Sequence, residues 1–431
     1  MSKTYGVGIM GAGVISASYM RLAPLFKGLE VRAVADLMPE AARVRAEEFG
    51  VAAQSPDELL ANSEVDIIVN LTIPEVHYQV SKDILSAGKH AYSEKPLVLS
   101  VEEGLDLRKE AEARNLQVGC APDTCLGGSH QQARSIIDSG QIGTITSGTC
   151  HVMSPGMESW HPNPDFFFRA GGGPVLDLGP YYLANLINLV GPIKRVTAFA
   201  SAPPMQRTIG SGARAGEKVP VSTPTTIHAV LEFANGALIT LGTSWDVKSH
   251  SHPNMELYGS EGSIFVPDPN FFGGDVEVAN AAGERSKVAA WDHPLGVANQ
   301  DRGERPAVAN YRTAGFADMV QAIETGRKAR CSLETTLHGV DAMTSVLKSA
   351  EIGQAMGMTA VGVRVRLHRL LEREPGAYLA AVLDRGGLDP GDDRVVELEA
   401  RRVGQADVHS VADDDIEQRV GDGRGCRLGR V

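Results

Sequence analysis

"YGVGIMGAGVIS", residues 5–16, is an apolar run that breaks into glycines and reopens as a helical sequence. The string G-x-G-x-x-G fits it in two registers. Gly6, Gly8 and Gly11 satisfy the spacing but place the turn inside the strand. Gly11 and Gly13 instead follow the strand, so Gly13, Val14 and Ile15 open a helix whose amides can face a pyrophosphate. Ser16 stands at the third glycine position, small enough for close helix packing. This register predicts the first strand and helix of a nucleotide-type α/β domain.

A lone glycine fingerprint serves plain tight packing as readily. Asp36 adds weight, because it closes the next apolar run 25 residues after Gly11, near the roughly 20 expected of a ribose-binding acid. A carboxylate there accepts from a ribose 2′-hydroxyl and repels a 2′-phosphate. Leu37, Met38 and Pro39 follow, with no adjacent cation to attract that phosphate. The predicted cofactor is NAD rather than NADP.

Outward from this motif, apolar runs at 30–36, 65–72, 90–94 and 116–121 alternate with helical segments that end at glycines. Such alternation builds a parallel sheet with right-handed crossovers. From about residue 145 the texture changes to strand-like runs joined by turn signals, with Asn235-Gly236 a strong hairpin signal. One helix is predicted at 177–190 and two more near 316–326 and 335–356. The fold class is therefore α/β, an N-terminal Rossmann domain (1–124) followed by an α+β domain with an open, mainly antiparallel sheet (125–361). Residues 362–431 do not match the rest. They hold 12 arginines and no lysine, against 17 arginines and 12 lysines in residues 1–361. Two readings fit this tail, a mobile extension or translation from a different reading frame, and no function is assigned to it.

A chain of 431 residues with a formal charge of −12 argues against nucleic acid or an anionic membrane as the main partner. No apolar stretch is long enough to span a membrane, and "MSKTYGVGIM" lacks the pattern of a secretory leader. The five cysteines are scattered, with no CxxC pair and no ligand-spaced cluster with histidine. They read as reduced thiols in a cytoplasmic protein without a metal site.

Lys95 ends one of the strands, on the edge where parallel sheets bind ligands. Pro96 restricts its backbone to extended geometry. Alone it would be a surface lysine with a packed stem. A second stretch, "GGGPVLDLGPYY" (171–182), leads three glycines into a helix carrying Asp177 and Tyr181. Four residues apart, the two share a helix face and can point into one cleft. A helix cap with a core tyrosine explains the same stretch equally well.

Together "GIMGAGVIS", "NLTIPEVHYQVSKDILSAGKHAYSEKP", "IIDSGQIGTI" and "GGGPVLDLGPYY" resemble the Gfo/Idh/MocA oxidoreductases, the family of glucose–fructose oxidoreductase and inositol dehydrogenase, over residues 5 to about 360. The long second segment is the most specific, with Asn70, Thr72, Pro74, His77 and Glu94-Lys95-Pro96 at the family's spacing. The resemblance implies that Leu71, Thr72, Pro74, His77, Glu94 and Lys95 belong to the cofactor side, His77 as scaffold. It implies that Lys95 lies beside nicotinamide and substrate, with Asp177 facing the same site. It also implies subunit contact through the open sheet, in a homodimer or homotetramer. Where the family usually has histidine, this chain has Tyr181, a group that ionises near 10 when unperturbed. A neighbouring Lys95 ammonium is expected to lower that value.

Four further residues are expected on the substrate side: Asp123, and Trp160, His161 and Asn163 in the loop before the glycines. The expected function is NAD(H)-dependent oxidation or reduction of a sugar, cyclitol or glycoside, a disaccharide or 3-keto-glycoside among them, with Lys95, Asp177 and Tyr181 catalytic. Two alternatives remain: a glycoside-cleaving enzyme that uses tightly bound NAD transiently, and a non-catalytic NAD-binding sensor.

Overall fold

The computed structural model of the chain describes residues 3–359, apart from Pro162, Pro204 and Glu304. The atypical tail lies outside the described residues. Six parallel strands form the first sheet: β1 (Tyr5–Met10), β2 (Leu29–Ala35), β3 (Ala52–Gln54), β4 (Ile67–Asn70), β5 (His90–Ser93) and β6 (Val118–Cys120). Their order, β3-β2-β1-β4-β5-β6, reverses direction between β1 and β4, and ligands bind outside the strand ends at such a switch point. Helices α1 (Val14–Leu22), α2 (Pro39–Phe49), α3 (Pro56–Ala61), α4 (His77–Ser86) and α5 (Val101–Arg114) supply the crossovers. Every residue of β1 is buried, as a strand covered on both faces requires. The start of α3 is fixed by a capping box, Ser55 and Glu58 each satisfying the other's backbone amide.

After helix α6 (Gly128–Asp138) the chain builds a sheet of nine strands. In sequence the strands of this second half are β7 (Ile145–Met153), β8 (Ile193–Ser201), β9 (Gln206–Thr208), β10 (Lys218–Pro220), β11 (Thr226–Phe233), β12 (Leu238–Ser244) and β13 (Met255–Gly259). They continue with β14 (Ser263–Val266), β15 (Glu277–Ala279), β16 (Arg285–Lys287), β17 (Gln300–Arg302), β18 (Arg305–Val308) and β19 (Met356–Gly357). β9 pairs with β10 and β17 with β18 in separate ribbons; the large sheet runs β16-β15-β14-β13-β7-β12-β11-β8-β19. All its pairs are antiparallel except β7 with β12. Asn235-Gly236 does turn β11 into β12, with Gly236 at φ 91°.

One face of this sheet packs on α8 (Gly179–Val190) and α10 (Leu333–Ile352). Along β11, burial alternates strictly until the hairpin. The side chains of the other face stay uncovered, among them Phe199, Val230 and Leu238.

The predicted helix at 177–190 is two helices. Short α7 (Pro174–Asp177) ends before Leu178, and α8 restarts at Gly179. The cause is Pro180, which has no N–H to donate back and whose ring crowds the carbonyl four residues earlier. Asp177 and Tyr181 are therefore not neighbours on one helix face, and their meeting depends on the kink.

The chain finally returns to the first sheet. Helix α9 (Ala314–Thr325) and the start of α10 pack against β6, where Cys120 N–H donates to the Cys331 carbonyl at 3.1 Å. Tyr92, Phe316, Met319 and Cys331 share one apolar cluster with Ile9 and Val69. A second cluster joins Ile68, Leu97 and Leu107 of the first half to Tyr181, Leu186 and Val340 of the second. Both clusters thus draw on both halves of the chain. Among the described residues no helix is long and apolar enough to cross a membrane.

Candidate active site

The glycine turn closes β1 with Gly11 at φ 106°, where an added Cβ would sit 2.6 Å from the Leu71 carbonyl oxygen. Only glycine tolerates both the dihedral and that approach. Gly13, by contrast, has nothing within 4 Å of its notional Cβ, so the turn is open where a pyrophosphate would come. Ser16 is fully buried and its hydroxyl donates to the Gly13 carbonyl at 2.6 Å. Asp36 braces the turn from β2, its carboxylate accepting from the Ala12 and Met38 amides at 2.8 and 2.9 Å.

Around this turn Val14, Leu37, Met38 and Ile73 are exposed at 76%, 88%, 66% and 62%. An apolar rim beside an amide-lined turn and a braced carboxylate is what a dinucleotide needs for its base, phosphates and ribose. The residues present fit NAD.

A buried polar staple sets the strand-end loops. Asn70 donates to the His77 carbonyl and the Ser81 hydroxyl, and accepts from the Thr72 amide and hydroxyl. The His77 ring then spans the Thr72 and Pro96 carbonyls at 2.9 and 2.7 Å. That ring ties the loop carrying Leu71, Thr72 and Pro74 to the one carrying Glu94 and Lys95. Glu94 is buried, accepting from the Tyr19 hydroxyl at 2.9 Å and from the Lys95 amide at 3.0 Å.

From this frame the Lys95 ammonium crosses to the second half. It donates to the Asp177 carboxylate at 2.7 Å and to the Asp177 carbonyl at 2.9 Å. Both side chains are 18% exposed, at the mouth of a cleft rather than sealed in. Burial works against the charge on Lys95, but Asp177, Tyr181 and Glu94 outweigh it and raise its pKa above the ordinary value. The group stays an ammonium.

Tyr181 lies beneath, with the Lys95 nitrogen 5.4 Å from its ring centroid. Its hydroxyl accepts from the Arg312 guanidinium at 3.4 Å. Burial pushes the phenol up; Arg312 and Lys95 pull it down, while Glu94 and Asp177 push it further up. Burial wins, and the phenol ionises above its usual 10. Lys95 lowers it as expected, but from over the ring rather than by a hydrogen bond to the oxygen, and burial outweighs that pull. Tyr182 is directed elsewhere, donating to Asp268 at 2.8 Å and accepting from Asn254 at 2.9 Å.

The cleft beside the Lys95–Asp177 pair is lined by Pro74, Glu75, Leu99, Phe166, Phe167 and Leu176, with Gly171 and Gly172 at its edge. Trp160, His161 and Asn163 do not line it. The His161 ring packs edge-on against Phe166 and Phe167 at 5.6 and 5.3 Å, and Trp160 against His161 at 5.4 Å. The tight turn Pro164–Phe168 presents Phe166 and Phe167 to the cleft in place of Trp160, His161 and Asn163. Asp123 is also corrected. It is 1% exposed, and one carboxylate oxygen accepts from the Thr313 and Gly315 amides at 3.0 Å each. That leaves no surface for a sugar; the residue clamps the start of α9.

Arg312, Phe166 and Phe167 carried no usable sequence signal of their role. Arg312 stands 131 positions from Tyr181, and nothing in "NYRTAGF" marks it. The phenylalanines were visible only as an aromatic-rich loop.

A Rossmann nucleotide domain, an open-sheet domain and a lysine–aspartate pair between them define a two-part dinucleotide-dependent enzyme architecture. Residues 5–121 match the oxidoreductase family model with the NAD-binding Rossmann fold, and residues 130–265 match the GFO/IDH/MocA C-terminal domain. The chain belongs to the Gfo/Idh/MocA oxidoreductase family, and its first domain is that family's NAD-binding domain.

A 1,5-anhydro-D-fructose reductase of Ensifer adhaerens is 25% identical over 361 residues, covering 81% of this chain and 97% of the reductase. An uncharacterized oxidoreductase of Schizosaccharomyces pombe is 30% identical over 38% of this chain, which spans about half, 48%, of that relative's length. Among solved structures, levoglucosan dehydrogenase in complex with NADH and levoglucosan superposes with a TM-score of 0.70 at 20% identity, over 83% of this chain and all of that one. At that identity the likeness speaks for the fold.

Proposed function

We propose that the protein is an NAD(H)-dependent oxidoreductase acting on a CH–OH group of a sugar, cyclitol or glycoside. The observation that carries this reading is the Lys95–Asp177 contact, which joins the nucleotide domain to the cleft directly above Tyr181. Anhydrofructose reductase and levoglucosan dehydrogenase, to which the chain is similar, point to the same substrate class. Bound at the Gly11–Ser16 turn, NAD supplies the hydride acceptor or donor.

The chain's own residues do the rest. Lys95 orients the substrate oxygen as a fixed cation. Asp177 holds that cation in place and offers its second carboxylate oxygen to a neighbouring hydroxyl. Tyr181 takes the hydroxyl proton in oxidation and returns it in reduction. Phe166, Phe167, Leu99 and Leu176 give the cleft an apolar wall suited to the C–H face of a sugar ring. Because the phenol ionises above 10, the proton needed for reduction is present across the neutral range, while oxidation gains as the solution becomes alkaline.

Purified protein assayed for NADH absorbance against a panel of sugars, cyclitols and glycosides tests the reading. Lys95→Ala is expected to lower kcat by about 100-fold or more, and unchanged turnover on a confirmed substrate would remove the mechanism. Two coarser features complete the proposal. The uncovered sheet face, with Phe199, Val230 and Leu238 exposed, supports self-association as a homodimer or homotetramer, readable by light scattering. The described cysteines are free thiols, which suits a reducing, cytoplasmic setting.

A further inference from the structure

Tyr181 has a second cation beside it, and the backbone around that cation is unusual. Arg312 lies between β18 and α9, on the segment that leads the chain back to the nucleotide domain. Its guanidinium reaches the Tyr181 hydroxyl, whereas Lys95 covers the ring. The next residue, Thr313, has φ 151° and ψ −12°, a conformation that side-chain-bearing residues rarely adopt, and it is 1% exposed. Strain of this kind persists only where its surroundings over-determine it.

Here the surroundings are visible. The buried Asp123 carboxylate takes the amides of Thr313 and Gly315 together. Gly315 has no room for a side chain, since a Cβ would sit 2.5 Å from the Tyr92 hydroxyl and 2.7 Å from Asp123 Cβ. Thr313 and Gly315, on either side of Ala314, are thus pinned to Asp123 of the first domain, which fixes the backbone immediately after Arg312.

We propose that Arg312 is a catalytic residue of this site, whose guanidinium donates to the Tyr181 oxygen and stabilises the phenolate that receives the substrate proton, and that Asp123 is the residue that positions it. The proposal rests on Tyr181 being the proton carrier. In oxidation the substrate O–H bond breaks and the proton forms the phenol O–H; Arg312 makes and breaks no covalent bond and keeps its own protons. The charged groups facing the phenol are Arg312 and Lys95 on the positive side, with Glu94 and Asp177 on the negative. The positive pair comes from two different parts of the chain. An opposite charge at this range moves an ionisation by about 1–3 pH units, so a single cation leaves the balance with burial more unfavourable.

The experiment reads the ionisation directly, on the full-length chain with NAD bound. The protein is labelled with fluorotyrosine, whose phenol ionises at lower pH, and followed by fluorine NMR; Tyr181→Phe identifies the Tyr181 signal. Arg312→Gln is expected to raise the Tyr181 midpoint by about one pH unit or more. It should also shift the alkaline limb of the kcat profile upward by the same amount, with KM changed less than kcat. Asp123→Asn should give a smaller shift in the same direction. An unchanged midpoint in Arg312→Gln, with near-UV circular dichroism matching the parent, overturns the proposal. Should Arg312→Gln lose that signature, Arg312→Met decides instead: it keeps the stem and removes the charge, and an unchanged midpoint with the parental spectrum overturns the proposal. If Tyr181→Phe turns over a confirmed substrate at the parental rate while the midpoint still shifts, the proton-carrier premise is what failed, and the catalytic role of Arg312 fails with it.

Discussion

On the proposed mechanism, Tyr181 sets how the site responds to pH. A histidine there would titrate near 6.5 and make the rate sensitive across neutrality; a phenol held above 10 does not. The kcat of the parent protein is therefore expected to be nearly flat between about pH 6 and 8 in the reductive direction. Tyr181→His should introduce a bend near pH 6.5, measured as kcat against pH on the same substrate, and a profile without that bend would count against Tyr181 as the proton group. Tyr181→Phe is expected to cost about 10²–10⁴-fold in kcat.

Residues placed by local pattern were legible in advance: Asp36 at the glycine turn from its distance to Gly11, and Lys95 at the cleft from the strand end and its proline. The contacts of Arg312 and Asp123 were not, because they arise from the approach of segments 131 and 190 positions apart. A sequence shows which atoms a residue carries but not which distant backbone will come to meet them.

At the scale of single elements, two features carry measurable weight. The turn after β1 admits only glycine at position 11, since the Leu71 carbonyl lies where a methyl group would go. Gly11→Ala is expected to lower stability by about 1–3 kcal/mol and to weaken NAD binding, read by denaturant melts and by titration of NADH fluorescence.

Helix α6 supplies the second feature. His130 is fully buried, accepts from the Asn185 amide nitrogen at Nδ1 and donates from Nε2 to the Phe271 carbonyl. Burial drives its pKa down to about 4. In the unfolded chain the same ring ionises near 6.5, so below that pH the unfolded state binds a proton that the folded state refuses. Stability is thus whole above about 6.5 and declines as pH falls toward 4, by on the order of 3 kcal/mol from this group. His293, also near 4 and also lowered by burial, adds in the same direction. Urea midpoints at pH 7.5 and 5 should differ, and His130→Asn should narrow the difference.

Element positions were largely readable from periodicity, including the β11–β12 hairpin. The split between α7 and α8 was not read, although Pro180 stood in plain sight. The apolar spacing on both sides of it suited one continuous helix.

The described part of the chain is held together by the return of α9 and α10 to the first sheet. Because α9 and α10 complete the core beneath β6, and both apolar clusters draw on both halves, the described part of the chain should unfold in one cooperative step. Calorimetry with NAD absent is expected to give a single transition; two separated peaks would mean that the shared clusters contribute little. NAD should raise the midpoint of that same transition.

The returning helices also bear on how this scaffold can be re-engineered. A chimaera joined at residue 124, placing a foreign sugar-binding half after this nucleotide half, would import someone else's versions of Phe316, Met319 and Cys331 against Tyr92. The graft would carry a borrowed keystone that was never cut for this arch. Recombination between relatives should succeed only when the closing helices travel with the first hundred residues, so inheritance here is of head and tail together, with the middle as the exchangeable part.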